Sequence, residues 1–345
     1  MTADPLAAFL TAARAHVDAA LERMLPSPPA CPAIVSEAMR YSVFAGGKRL
    51  RPILTLAAAA AVEDHSPALR QAQGIPSPSR DEALRHSRES QSTSRNVAQG
   101  FSPAMELAVP AACAIELIHT YSLIHDDLPA MDDDTLRRGR PTLHVVYGDG
   151  IAILAGDGLH AEAFTLLARE PVSDDPDVIA RKLRVVRLVG EAAGAGGMVG
   201  GQAIDLQAAG QAPGHPITLD ADGLRAMHTR KTGALIRASA VSGAIMGGGD
   251  RRVVEAVDRY AAELGLAFQI VDDILDVESS ARELGKTTGK DASDAKPTYP
   301  SLFGLERSRS LAADCLDRAR RTLEDARLTD GWLSAIGDWV VSRKN

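Results

Sequence analysis

Cysteine is scarce. Cys31, Cys113 and Cys315 are the only three, an odd number with no CxxC spacing, so no disulfide framework is expected and the thiols read as packing residues of a reduced cytosolic protein. Basic charge is not in excess either: 38 lysines and arginines face 45 acidic residues for a net charge of -7, with no basic stripe, which argues against nucleic acid as the partner. The first 25 residues carry Asp4, Arg14, Asp18, Glu22 and Arg23 and so lack the unbroken apolar stretch of a signal peptide. No run reads as long and apolar enough to cross a membrane, so a cytoplasmic protein without a membrane span is expected. The GxxxxGK[ST] spacing of a Walker loop is missing, which leaves ATP-type binding without support.

Beta-branched alternation is also rare, while Ala, Leu, Glu and Arg fill long stretches with apolar residues three and four apart, the pattern of an all-α chain. From about Val254 to Val277 the apolar set Val257, Tyr260, Ala261, Leu264, Ala267, Phe268, Val271, Ile274 and Leu275 keeps helical spacing. A second helix is expected from about Glu106 to Asp126, kinked or started by Pro110. Residues 66–102 differ: rich in Ser, Gln, Arg and Pro, they offer no apolar stripe to bury and read as a disordered insertion within one domain. Smaller breaks fall at 169–177, 210–216 and 247–249.

Both helices are expected to end in acids. One cluster is Asp126-Asp127-Leu-Pro-Ala-Met-Asp132-Asp133-Asp134, the other Asp272-Asp273-Ile-Leu-Asp276. Carboxylates crowded at the negative end of a helix dipole oppose folding unless a cation joins them. Oxygen ligands without His or Cys suit Mg²⁺, which keeps several waters and takes substrate phosphate oxygens beside a few carboxylates. Asp272 and Asp276 share a helical face, with side chains roughly 5 to 6 Å apart, and the same ridge continues through Phe268 and Leu264. Asp126 and Asp132 are too far apart for one face, but Pro129 lets the chain fold back so that they converge through a turn. Each cluster has a plainer alternative, a solvated helix end or a surface loop.

The cations weigh against those alternatives. Arg137, Arg138 and Arg140 follow the first cluster at once, placing guanidinium forks beside the acids. Gly46-Gly47-Lys48-Arg49-Leu50-Arg51-Pro52 forms another cationic knot, whose glycines let backbone approach an anion and whose proline suits a helix start. Arg230-Lys231-Thr232-Gly233 sets cation beside hydroxyl, and Lys286, Lys290 and Lys296 follow the second cluster. In Gly201-Gln202-Ala203-Ile204-Asp205 the glycines suit close helix packing, while Gln202 and Asp205 can face a polar pocket. His119 stands two helical turns before Asp126 on nearly the same face, as either a core histidine or a site residue.

Taken in order, FAGGKRLRP, IHTYSLIHDDLPAMDDDTLRRGRPT, GGQAIDL, HTRKTGALI, GLAFQIVDDILDV and LGKTTGKD with KPTYPSL resemble the trans-isoprenyl diphosphate synthases, in particular the bacterial-type short-chain branch. The resemblance implies one polyprenyl synthetase domain over 1–345. It also implies a single large all-α bundle of about ten or more helices around a central cavity, as a homodimer. By position it marks Asp126, Asp127, Asp132, Asp272, Asp273 and Asp276 as metal residues, with two or three Mg²⁺ per site and Mn²⁺ as a substitute. Arg137, Lys231, Thr232, Gln269, Lys286 and Lys296 match residues that hold the allylic diphosphate. Lys48, Arg51, His119 and Arg138 match the isopentenyl diphosphate site, and Gln202 and Asp205 support the metal and the reacting carbons. Catalysis would centre on Asp126, Asp132, Arg137, Lys231 and Asp272.

The implied chemistry is ionisation of the allylic diphosphate, attack by the double bond of isopentenyl diphosphate, and proton loss, with no side-chain nucleophile. Tyr121 lies five positions before Asp126, about 7.5 Å along the helix. The resemblance marks it, with Ser122, as the chain-length position, where an aromatic together with the two-residue-longer first motif implies a C15 product and smaller residues C20. Dimethylallyl or geranyl diphosphate is the expected primer and farnesyl diphosphate the expected product, with C20 and C10 synthases as alternatives. A class I terpene cyclase needs no second diphosphate site, and a non-catalytic partner subunit needs neither acid cluster intact; the GGKRLRP knot and the two complete clusters disfavour both.

Overall fold

The computed structural model describes residues 4–65, 100–284, 298–329 and 331–343. Residues 66–99 of the insertion, and Lys286, Lys290 and Lys296, lie outside them. Among the described residues the chain is helical except for one ladder in which Leu136–Arg137 (β1) pairs antiparallel with Arg140–Pro141 (β2). The all-α reading holds. The chain divides into two compact units: Met1–Val189 with Ser239–Val254 and Asp330–Trp332, and Gly190–Ala238 with Glu255–Thr329 and Leu333–Asn345.

In the first unit run α1 (Pro5–Met24), α2 (Ala33–Val43), α3 (Leu50–His65), α4 (Pro103–Asp126), α5 (Leu143–Tyr147), α6 (Asp149–Arg169) and most of α7 (Pro176–Ala193). α4 starts earlier than expected. Pro103 opens it and the Ser102 side chain caps it by accepting from the Met105 N–H, so Pro110 sits inside a continuous helix. Its burial runs almost all the way round, from Ala104 to Ile124, which marks it as the core helix against which α3 and α6 pack.

α4 and α6 correct one expectation, because both are long and apolar enough by composition to cross a membrane. The mostly buried α4 has the character of a core helix. α6 instead leaves Ile153 and Leu154 exposed, beside the exposed Val145 and Val146 of α5.

The second unit holds α8 (Met198–Ala208), α9 (Ala221–His228), a π turn (Thr229–Gly233), the start of α10 (Ala234–Met246), most of α11 (Arg251–Leu284), α12 (Tyr299–Phe303), α13 (Leu305–Ala326) and α14 (Trp332–Ser342). Its core gathers Leu224 and Met227 of α9, Ala267, Ile270, Val271 and Ile274 of α11, Tyr299, and Ala312 and Cys315 of α13. Tyr260 is fully buried, and its hydroxyl donates to the Leu333 carbonyl at 2.6 Å, tying α11 to α14. α11 runs eight residues past Asp276, so the second acid cluster lies inside a helix and not at its end. Sequence beyond Asp276 contains no Pro or Gly before Gly285, which explains the continuation.

Candidate active site

The first acid cluster forms because α4 stops. Leu128 and Pro129 follow its last turn, and the chain reverses: the Asp132 N–H donates to the Asp126 carbonyl at 2.9 Å and the Asp133 N–H to the Leu128 carbonyl at 3.1 Å. Asp133 takes φ +54°, a left-handed conformation that Asp tolerates better than most residues. The expected fold-back is thus present, with Asp126 and Asp132 tied through the backbone. Asp127 is buried, and its Oδ1 accepts from Arg137 Nε at 2.7 Å. Burial raises the Asp127 carboxyl above the usual range, with Arg137 working in the opposite direction.

The ladder after the turn carries Arg137 in β1, and Arg138 lies in the turn that joins its two strands. The Arg138 guanidinium donates to the Gly46 carbonyl, and the neighbouring Gly47 has φ +125°, where a side chain would come within 2.5 Å of Arg138 Nη1. The two glycines therefore let backbone meet a guanidinium, where the sequence suggested an anion. Lys48 is exposed and Arg51 half-buried. Arg49 has a structural place: its side chain is 3% exposed, with Nη1 on Glu116 at 2.7 Å, Nε on Asp18 at 2.8 Å and Nη2 on the Val43 carbonyl at 2.6 Å.

Beside these groups a small cavity of about 40 Å³ is lined by Tyr41, Arg49, Glu116, His119, Arg137 and Arg138, among others. Arg140 lies over the Tyr41 ring at 4.5 Å at its rim. Burial, followed by the charges of Arg51, Arg138, Arg137 and Arg49, holds His119 well below the usual histidine range, so its imidazole is neutral. A neutral histidine amid guanidinium groups makes an electropositive pocket suited to a polyanion. The Tyr121 ring, also on α4, stacks on His160 of α6 at 4.6 Å and meets His125 edge-on at 5.7 Å. Burial and then Asp126 push its phenol up to about 12. Ser122 bonds back to the His119 carbonyl at 2.9 Å.

In the second unit the π turn presents Lys231 and Thr232. Such one-turn departures from α geometry re-aim side chains. Lys231 Nζ reaches Asp205 Oδ2 of α8 at 2.5 Å. Gly201 permits this approach, since a Cβ there would lie 2.2 Å from the Lys231 backbone nitrogen. Gln202, the next residue, has both amide atoms buried without a hydrogen-bond partner, the mark of a group built to meet something else.

On α11, Gln269 is half-buried one turn before Asp272 and Asp273. Asp273 Oδ2 accepts from the Tyr299 N–H at 2.8 Å, Asp276 is exposed, and Asp272 is paired with Arg343, just past α14. Burial, with Asp276 and Asp272 adding to it, pushes the Asp273 carboxyl up to about 7. Sequence reading missed Arg343 and the Tyr299 N–H, since neither lies near the acids in the chain.

Taken cluster by cluster, the acids are oxygen donors of the kind magnesium accepts, and the burial that raises Asp127 and Asp273 is a cost a cation would relieve. Among the described residues no group of three His, Cys, Asp or Glu side chains could hold a metal ion alone, whereas magnesium takes water and phosphate oxygens beside one or two carboxylates.

His228, at the end of α9, is buried near Asp205, Lys231 and Tyr299, and burial lowers its imidazole to about 4 from the ordinary 6.5. The unfolded chain therefore takes up this proton near pH 6.5 and the folded chain only near 4, so stability falls as pH drops through that window. The contribution is roughly 3 kcal/mol by the usual conversion. Replacing His228 with Gln should flatten the decline in urea-unfolding midpoint between pH 6.5 and 4, leaving the midpoint's pH dependence above 7 unchanged.

A family model described as polyprenyl synthetase matches residues 32–327. The chain is 39% identical over 335 residues to farnesyl diphosphate synthase of Geobacillus stearothermophilus, with 97% of each chain covered. It is also 39% identical to geranylgeranyl diphosphate synthase of Cyanophora paradoxa, over 92% of this chain and 90% of that one. Among solved structures, an FPP/GFPP synthase from Zymomonas mobilis superposes with TM-score 0.74 at 33% identity, covering 98% of this chain and 99% of that one.

Proposed function

Because the chain belongs to the polyprenyl synthetase family and is a trans-prenyltransferase, we propose that it condenses isopentenyl diphosphate with dimethylallyl or geranyl diphosphate to give farnesyl diphosphate. Both units are taken as parts of one domain spanning 1–345, with Asp126, Asp132 and Asp272 serving the same diphosphate. The observation that carries the proposal is the turn that ties Asp126 to Asp132 and sets Arg137 and Arg138 immediately after them, beside the electropositive pocket at His119.

Magnesium, bound by Asp126, Asp132 and Asp272, would supply the charge that draws pyrophosphate off the allylic carbon. Arg137, Lys231 and Thr232 hold the allylic diphosphate and stabilise it as the C–O bond breaks. Asp127 keeps the Arg137 fork in place, and Asp205 does the same for Lys231. His119, Arg138, Arg51 and Lys48 bind the diphosphate of isopentenyl diphosphate. Its double bond then attacks the allylic cation, and the released pyrophosphate takes the proton whose loss completes the new alkene. Gln269 joins the residues that hold the allylic substrate, and Gln202 with Asp205 supports the metal and the reacting carbons.

Tyr121 supports a C15 product: a large ring, buried on α4 and stacked on His160, stands five positions before Asp126. Replacing Tyr121 with Ala should shift the main product to C20, read by chromatography of the dephosphorylated alcohols; an unchanged C15 output would remove Tyr121 from this role. A C20 product for the native chain is the second reading, favoured by the geranylgeranyl synthase among its relatives. The exposed Val145, Val146, Ile153 and Leu154 on neighbouring helices suit a second copy of the chain, as in a homodimer. Incubation with isopentenyl diphosphate and C5, C10 or C15 primers, with and without Mg²⁺, tests the proposal. Farnesyl diphosphate from the first two primers supports it, and hydrocarbon release from farnesyl diphosphate alone contradicts it.

A further inference from the structure

Arg343 is a charged residue in an unusual seat. Its side chain is 4% exposed, its guanidinium carbon lies 3.9 Å above the Phe268 ring, and one terminal nitrogen donates to both the Phe268 carbonyl, at 3.0 Å, and Asp272 Oδ1. The Nε–H is buried without a hydrogen-bond partner, so the seat satisfies the guanidinium only in part. Asp272 remains 39% exposed on its side chain, so the ion pair is not sealed from solvent. The other two acids of the cluster are arranged differently, Asp273 under the Tyr299 N–H and Asp276 exposed. Arg343 thus bonds directly to Asp272, the acid that begins the Asp272–Asp276 face, while its charge also reaches Asp276.

We propose that Arg343 is a built-in counter-cation for Asp272, which the carboxylate exchanges for a divalent metal when the site is loaded. The inference rests on Asp272 being a metal ligand. While the guanidinium is seated it screens Asp272 from Asp273 and Asp276 and holds its carboxylate in position. A dication on the same carboxylate repels the guanidinium and takes its place. Arg343 is therefore a positioning residue that lowers the cluster's intrinsic metal affinity, and by linkage the metal must loosen Arg343 to the same degree that Arg343 weakens the metal.

The test is a Mn²⁺ titration of the full chain, followed by the electron paramagnetic resonance signal of free Mn²⁺. An Arg343→Gln variant should bind the Asp272-dependent Mn²⁺ about two- to five-fold more tightly than the native chain, the size expected for a partly exposed ion pair. Arg343→Lys, which keeps the charge but loses the fork, should fall between them. Unchanged or weaker Mn²⁺ binding in Arg343→Gln overturns the proposal. A second measurement needs no variant: phenylglyoxal labelling of Arg343, mapped by mass spectrometry, should rise when Mn²⁺ is added, and equal labelling with and without Mn²⁺ also overturns it. If Asp272→Asn leaves Mn²⁺ binding intact, the assignment of Asp272 as a ligand fails first and takes the exchange with it.

Discussion

Replacing Asp126 with Asn should lower kcat by about 10³-fold, the order expected when one preorganised electrostatic group is removed from a site that develops charge. The substitution keeps the size of the side chain and leaves the backbone bond from the Asp132 N–H in place, so the turn survives. On the proposed mechanism, what is lost is one negative charge that would hold the metal drawing off pyrophosphate. The KM for isopentenyl diphosphate should change much less, because the pocket around His119 and Arg138 does not use Asp126. A fall in kcat without a matching change in KM identifies an interaction made mainly in the transition state. Incorporation of radiolabelled isopentenyl diphosphate measures both constants. Activity within three-fold of native would remove Asp126 from the chemistry.

The largest stability loss is expected from Glu116→Gln. Glu116 and Arg49 are 5% and 3% exposed on their side chains and meet at 2.7 Å, so removing the acid leaves a buried guanidinium without its main counter-charge. Breaking such a pair costs about 3 to 5 kcal/mol. The value should sit at the lower end, since Asp18 still accepts from Arg49 Nε at 2.8 Å and Val43 from Nη2. Arg40–Glu22 is the control: with its acid 63% exposed, its loss should cost less than about 1 kcal/mol. Urea-unfolding midpoints of the two variants decide it, and equal shifts would contradict the structural role given to Arg49.

That role shows where sequence reading stops. Arg49 and Arg51 sit two apart in one cationic knot, and nothing local says that Arg49 turns inward to Glu116, 67 positions away in the chain. The helices were legible because apolar residues recur with helical spacing over long stretches. The reversal at Pro129 was legible because proline ends a helix. Helix limits were less so: Ser102 as a cap placed the start of α4 ahead of Pro110, and the helix formers after Asp276 carried α11 past the acids. The glycine at 201 was readable as a packing residue, but its partner, the Lys231 backbone, was not. Arg343 and the Tyr299 N–H reach the second cluster from 71 and 26 positions away, distances that only the folded chain closes.

A crystal structure with magnesium and inorganic pyrophosphate tests the central claim most directly. One pyrophosphate held through metal ions by Asp126, Asp132 and Asp272 together, with Arg137 and Lys231 on its oxygens, is the predicted result. Metal and pyrophosphate bound at one acid cluster, with the other taking no part, would contradict it.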